Sequence, residues 1–195
     1  MNVKLRLTVM NFLQFAVWGA YLTSMGSYLA GVGMAPNIGL FYAVQGIVSI
    51  FMPAIVGIIA DRWVPAQRML GICHLLAAIF MASAGYYAMS AGSAVEFSTL
   101  FSLYTASVAF YMPTLALSYS VAYSALERAG EDTVKAFPPI RVWGTVGFIC
   151  SMLVCDFAGF QTTYMQFMQC ATLGVVLPSF LIILTISAVL RQFQS

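Results

Sequence analysis

Arg141, Thr145 and Phe148 stand at i, i+4 and i+7 in the stretch KAFPPIRVWGTVGFI, residues 135–149. On a helix that spacing lines up a guanidinium, a hydroxyl and an aromatic ring along one face. The guanidinium offers a planar fork of N–H donors, the hydroxyl donates and accepts, and the ring presents a flat face. Such a line suits a ligand with a flat base and a hydroxylated sugar. Arg141 also admits a plainer reading. Counted from Pro139, a rise of ~1.5 Å per residue leaves it only a few ångströms inside a helix end, close enough to snorkel to water. The medium around the segment separates the two readings.

That medium is a membrane. Of 195 residues, 62% are hydrophobic and 7% charged, and the mean hydropathy is +0.92. Soluble domains carry about 25% charged residues, so this chain cannot cover a globular surface with charge. Apolar runs occupy 5–28, 38–60, 69–89, 97–123, 139–157 and 164–190. Each is near or above the ~20 residues needed to cross a bilayer core. GVGMAPN, DRWVPAQR, SAGSAVE, ERAGEDTVKAFPP and AGFQTT separate them with turn-forming residues. The expectation is an all-α membrane protein, a bundle of six transmembrane helices forming one domain over 1–195. The prolines Pro138 and Pro139 suit the first turn of the fifth helix, where their missing N–H groups have no partner anyway. Gly144 and Gly147 lie off the Arg141 line and would let a neighbouring helix come close.

Basic residues set the expected orientation. Lys4 and Arg6 precede the first run, Arg62 and Arg68 lie between the second and third, Arg128 and Lys135 between the fourth and fifth, and Arg191 follows the sixth. The alternate loops have no Lys or Arg, which predicts cytoplasmic N- and C-termini. The basic start and first run read as a membrane helix, not a signal peptide, because polar residues interrupt a long apolar stretch.

Polar stripes mark two further helices. Asn11, Gln14, Trp18, Tyr21 and Tyr28 share a face of the first, and Tyr104, Ser107, Tyr111, Thr114 and Ser118 a face of the fourth. A single Ser or Thr of this kind reads as a bond between packed helices, but whole stripes mixing aromatics with amides read as the wall of a polar, solvated cavity. On that reading Gln14, Trp18, Tyr111 and Thr114 line it. Asp61, Arg62 and Arg68 at the end of the second helix are candidates for a gate built from ion pairs. His74 reads as a hydrogen-bonded packing residue. Cys73, Cys150, Cys155 and Cys170 lack metal-ligand spacing and read as small core residues. No HExxH, GxSxG or buried carboxylate pair is present, which argues against an enzyme. No metal, cofactor or nucleic-acid partner is expected. No carboxylate lies near the middle of any run, although proton-coupled carriers need an acid within the membrane.

FPPIRVWGTVGFI, with GSYL, FMPAIVGIIADRW, ICH and YMPTLALSYSVAY, resembles the nucleoside:proton symporter family of the major facilitator superfamily. The resemblance runs from Leu13 to about Phe160. GIIADR, residues 57–62, resembles the broader superfamily signature, with WVPAQR in place of its usual Gly-Arg-Arg/Lys ending. The resemblance implies two six-helix halves, each of 3+3 helices, around a central nucleoside site, with Arg141, Thr145 and Phe148 as this half's substrate-binding residues. It places the proton-carrying acid in later helices, so the chain reads as an N-terminal half whose partners are nucleoside, protons, the lipid bilayer and a missing C-terminal six-helix half. The expected function is proton-coupled nucleoside transport across the cell inner (plasma) membrane by alternating access. The alternatives are a transporter of another small polar, sugar-like metabolite, and a truncated membrane half acting only as an interaction module.

Overall fold

The computed structural model describes residues 2–192, with side chains as far as Ile182. The Arg191 side chain and the last three residues lie outside that range. The chain runs through α1 (Val3–Gly19), α2 (Met25–Gly31), a 3-10 turn (Ala35–Asn37), α3 (Ile38–Arg62), α4 (Ala66–Ala91), α5 (Phe97–Arg128), α6 (Thr133–Phe157) and α7 (Met165–Gln192). Five of these, α3 to α7, are long and apolar enough to cross a membrane. Together α1 and α2 occupy the first apolar run.

That run differs from the continuous helix expected over 5–28. The α-helix stops at Gly19 and resumes at Met25. Tertiary contacts supply the reason. The Tyr42 hydroxyl on α3 donates to the Leu22 carbonyl at 2.7 Å, taking an acceptor the helix ladder would use. The Ser24 hydroxyl turns back to the Ala20 carbonyl and across to Gln166 Oε1, a local competitor for the backbone. The chain keeps its helical sense through the break, since Met25 N–H still bonds the Tyr21 carbonyl at 2.8 Å.

The start of α6 also differs from the expected Pro139. Asp132 is an extended N-cap whose side chain accepts from the Val134 N–H at 3.1 Å. The cap fixes the start at Thr133. Pro138 and Pro139 then sit inside the helix. Their missing N–H groups strip partners from carbonyls in an exposed first turn, where water can replace them. Arg141 accordingly lies about 12 Å of rise into the helix, not a few ångströms.

Two apolar clusters fill the bundle. One gathers Tyr21, Leu29, Phe41, Met81, Tyr104 and Phe167. The other gathers Met10, Leu70, Leu126, Phe137, Ile140 and Leu177. On α1, α4 and α5 alike, a buried polar residue stands where one cluster gives way to the other: Gln14, His74 and Thr114.

α1 and α6 touch backbone to backbone. A Cβ on Gly147 would fall on the Phe12 carbonyl, and one on Gly19 on the Phe148 carbonyl. One on Gly144 would lie 2.6 Å from the Phe15 ring. Lipid gives helices little hydrophobic reason to associate, so close packing of small residues must do it. Gly147→Ala should therefore cost about 1–3 kcal/mol, the usual scale of overpacking. Gly46→Ala, where a Cβ meets nothing within 4 Å, should not destabilise. Thermal unfolding of both variants in the same detergent checks the contrast.

Candidate functional site

Arg141 leaves α6 half-buried and is held by two other helices. Its Nε donates to the Tyr119 hydroxyl on α5 at 2.8 Å. Its guanidinium carbon sits 4.0 Å from the centre of the Phe15 ring on α1. Gly144 makes this position available, because a Cβ there would stand 3.0 Å from Arg141 Nη1. Among the described residues the ion pairs are Lys4 with Glu131 and Lys135 with Asp132. No carboxylate thus neutralises Arg141, and Tyr119 uses only one of the five guanidinium N–H donors. The charge is positioned without being paired.

Thr145, one turn further along α6, is exposed, and Phe148 is half-buried. The Phe148 ring meets the edge of Trp18 with centroids 6.2 Å apart. Trp18 in turn packs on Phe15 and Tyr111, each at 6.4 Å. The indole Nε1 is buried and has no hydrogen-bond partner. Phe15 and Trp18 thus connect Arg141 to Phe148 along the α1–α6 seam, and Thr145 adjoins them through its place between Arg141 and Phe148 on α6.

Gln14, Tyr111 and Thr114 sit elsewhere. Gln14 and Thr114 have no exposed surface and Tyr111 has 2%, so these three meet one another inside the bundle. Gln14 Nε2 donates to Thr114 Oγ1 at 2.8 Å, and Thr114 donates on to the Tyr111 carbonyl at 2.5 Å. The Tyr111 hydroxyl donates to the Gln14 carbonyl at 2.7 Å. With its amide nitrogen committed, Gln14 can only accept from His74, whose Nε2 lies 2.7 Å from Gln14 Oε1. That fixes the proton of His74 on Nε2 and leaves Nδ1 bare and unpartnered. The packing role expected for His74 fits this geometry.

The rest of both stripes also points inward. The Tyr21 and Tyr104 hydroxyls share Gln45 Oε1 at 3.2 and 3.3 Å, and Ser107 donates to the Ala77 carbonyl at 2.7 Å. Asp61, Arg62 and Arg68 are exposed, and among the described residues they form no ion pair. No cluster of His, Cys, Asp or Glu suited to a metal occurs among the described residues, and the four cysteines are unpaired.

Sequence reasoning missed Tyr119 and Phe15, which hold Arg141. Tyr119 follows Ser118 directly and so lies off the α5 stripe. It missed Gln45, Gln166 and Gln169 as well. Gln169 Nε2 reaches the Ser151 hydroxyl on α6 at 3.0 Å, and Gln166 Oε1 accepts from Ser24 at 3.2 Å. Amides in otherwise apolar runs were the available signal.

A family model described as nucleoside H+ symporter matches residues 1–191. The chain belongs to this family. Among other members, the nucleoside permease NupG of Escherichia coli K12 is 38% identical over 194 residues, covering 98% of this chain and 45% of that protein. A xanthosine permease of the same organism is 41% identical over 168 residues, covering 85% of this chain and 38% of its own length. The crystal structure of the nucleoside transporter NupG superposes with a TM-score of 0.83, over 93% of this chain and 44% of that one. This family member therefore spans less than half the length of the curated relatives it matches. Those relatives are transporters, not enzymes.

The interior knot generates a stability contrast. Gln14→Leu leaves the buried His74 N–H without an acceptor, at about 1–3 kcal/mol for the unsatisfied group, and also removes the bond to Thr114, which keeps its own bond to the Tyr111 carbonyl. Tyr111→Phe removes a single bond and should cost about 1 kcal/mol. Denaturant unfolding in micelles should rank Gln14→Leu well below Tyr111→Phe. Equal costs would show that the four residues do not act as a unit.

Proposed function

We propose that this chain supplies one wall of a nucleoside site in a proton-coupled transporter, and that Arg141, Thr145 and Phe148 touch the substrate. The observation that carries this reading is Arg141 itself. A guanidinium deep in an apolar helix, with no carboxylate partner and with unused N–H donors, needs a polar counterpart from outside the described residues. A ribose or base oxygen is such a counterpart. The exposed Thr145 hydroxyl adds a second polar contact, and the Phe148 ring, braced by Trp18, a face for the base. Two relatives, a nucleoside permease and a xanthosine permease, agree with that chemistry. Trp18, beside Phe148, belongs to the same wall, whereas Gln14, Tyr111 and Thr114 support it from behind.

The second wall comes from a further six-helix half, in keeping with relatives more than twice as long. The two halves rock about the site to give alternating access. The proton-carrying acid resides on that other half, because none of the six Asp and Glu residues of this chain lies near the middle of a span. The basic residues of alternate loops support cytoplasmic termini, and the multi-pass transporter family supports the cell inner membrane. With cytoplasmic termini, the exposed Asp61 and Arg62 would lie on the cytoplasmic face, where they would close an inward gate against the other half.

The test is nucleoside binding by the full-length transporter that contains this half. Arg141→Ala should weaken uridine binding by about 1.5–3 kcal/mol, the scale of a hydrogen bond to a charged group, with the amount of protein in the membrane unchanged. Arg141→Lys should restore only part of the loss, since a point charge lacks the planar fork. Wild-type affinity in both variants would return Arg141 to a purely structural role. At Phe148, Leu should cost about 0.5–1.5 kcal/mol by removing the ring face. Tyr at the same position should be tolerated better. Radiolabelled uridine titrations on purified variants measure all four.

A further inference from the structure

The end of α4 that carries Arg68 meets α7 across a groove of about 640 Å³. Its volume lies within the ~300–1,000 Å³ of ordinary small-molecule sites. Apart from Gln67 and Arg68 its lining is apolar, with Pro65, Gly71, Ile72, Leu75, Pro178 and Ile182 among the residues. Gly71 and Pro178 keep the floor low, since a Cβ on Gly71 would already touch Pro178 Cβ at 3.7 Å. Ile72, Leu75 and Ile182 are 48%, 44% and 59% exposed, so the trough opens outward along the spanning part of the bundle.

Arg68 stands at one end of this trough, in the first turn of α4. That turn has no acidic residue, and its N-cap, Pro65, offers no side-chain acceptor. Asp61, across the short connection from α3, is exposed and does not pair with it. An unmatched cation at the end of a span, continuous with an apolar trough along the span, is complementary to one kind of molecule: an amphiphile with an anionic head and a hydrocarbon tail. A second copy of the chain fits less well, because a two-fold contact here would bring two Arg68 charges together.

We propose that this groove binds an anionic glycerophospholipid, its phosphate on the Arg68 guanidinium and one acyl chain along Gly71, Leu75 and Pro178. The site lies on α4 and α7, away from the Arg141 patch on α1 and α6, and does not depend on the substrate reading. By filling the gap between the two helices, the lipid ties α7 to α4 at their Arg68 end.

Native mass spectrometry of the intact chain, released from detergent with phosphatidylglycerol or phosphatidylcholine of matched acyl chains, tests this. Phosphatidylglycerol should be retained about fivefold better, the equivalent of the ~1 kcal/mol that a basic residue gains near an anionic headgroup. Arg68→Gln, an exposed change that leaves the helix intact, should abolish the preference without abolishing binding. Gly71→Leu should lower retention of both lipids by filling the trough. If that variant fails to fold by circular dichroism, the Arg68→Gln comparison decides alone. Equal retention of the two lipids by the wild type would overturn the proposal. So would an unchanged preference in Arg68→Gln, displacement by glycerol phosphate alone, or a lipid-free dimer as the main species.

Discussion

The backbone contact between α1 and α6 is the constraint on which the rest of the structure depends. In lipid, two apolar helices gain little by leaving the hydrocarbon for each other. They associate where their surfaces fit closely enough to recover dispersion energy and satisfy polar groups. Gly19, Gly144 and Gly147 bring the two main chains within contact of Phe148, Phe15 and Phe12. That distance puts the Phe15 ring under the Arg141 guanidinium. It also sets the Trp18 edge against Phe148. A seam wider by one methyl group would separate both pairs, so the three glycines and the candidate site form a single arrangement.

The polar residues of α1, α4 and α5 answer a different problem. A buried amide or hydroxyl in a membrane protein has no water to fall back on, and each unsatisfied group is costly. The Gln14, Thr114, Tyr111 and His74 set closes most of its hydrogen bonds internally. Because its bonds are directional, the set fixes the register of three helices at the level where one apolar cluster yields to the other. Apolar packing alone would allow those helices to slide by small steps. The Tyr21, Tyr104 and Gln45 junction fixes α3 in the same way. Directional bonds thus specify the half-bundle, and glycine contacts compact it.

Much of this was legible in the sequence, and the failures have physical reasons. Hydropathy identified the apolar segments because the bilayer fixes their length. The spacing of Arg141, Thr145 and Phe148 revealed a shared face, since helical periodicity is a property of the chain alone. Periodicity cannot say what that face meets. The stripes on α1 and α5, with their mixed aromatics and amides, therefore read as a cavity wall, whereas the positions of α4 and α5 draw Gln14, Tyr111 and Thr114 into a knot. The break after Gly19 depends on Tyr42, a residue of another helix, and local propensity does not contain it. The start of α6 is different, because its signal was local. Asp132 before Thr133 is an ordinary N-cap pattern, but Pro138 and Pro139 were given more weight. Prolines near the start of a helix are tolerated over more than one turn when the orphaned carbonyls face water.

The way Arg141 is held bears on why arginine stands there. A lysine in the same place would be a flexible point charge free to withdraw toward the helix end. The guanidinium is instead trapped from two directions, by the Tyr119 hydroxyl at Nε and by the Phe15 ring beneath its plane. Both contacts use the part of the group a ligand does not need, and both leave the Nη donors accessible. Ordering a long side chain costs up to ~2 kcal/mol of rotamer freedom, and here α1 and α5 meet that cost before any ligand arrives. The supports come from helices that are themselves locked by the glycine seam and the Gln14 knot. The donors of Arg141, the Phe148 ring and its Trp18 brace should therefore travel together as one rigid body when the half-bundle tilts. On the proposed transport role, a site built this way would face either side of the membrane without being rebuilt at each turn of the cycle.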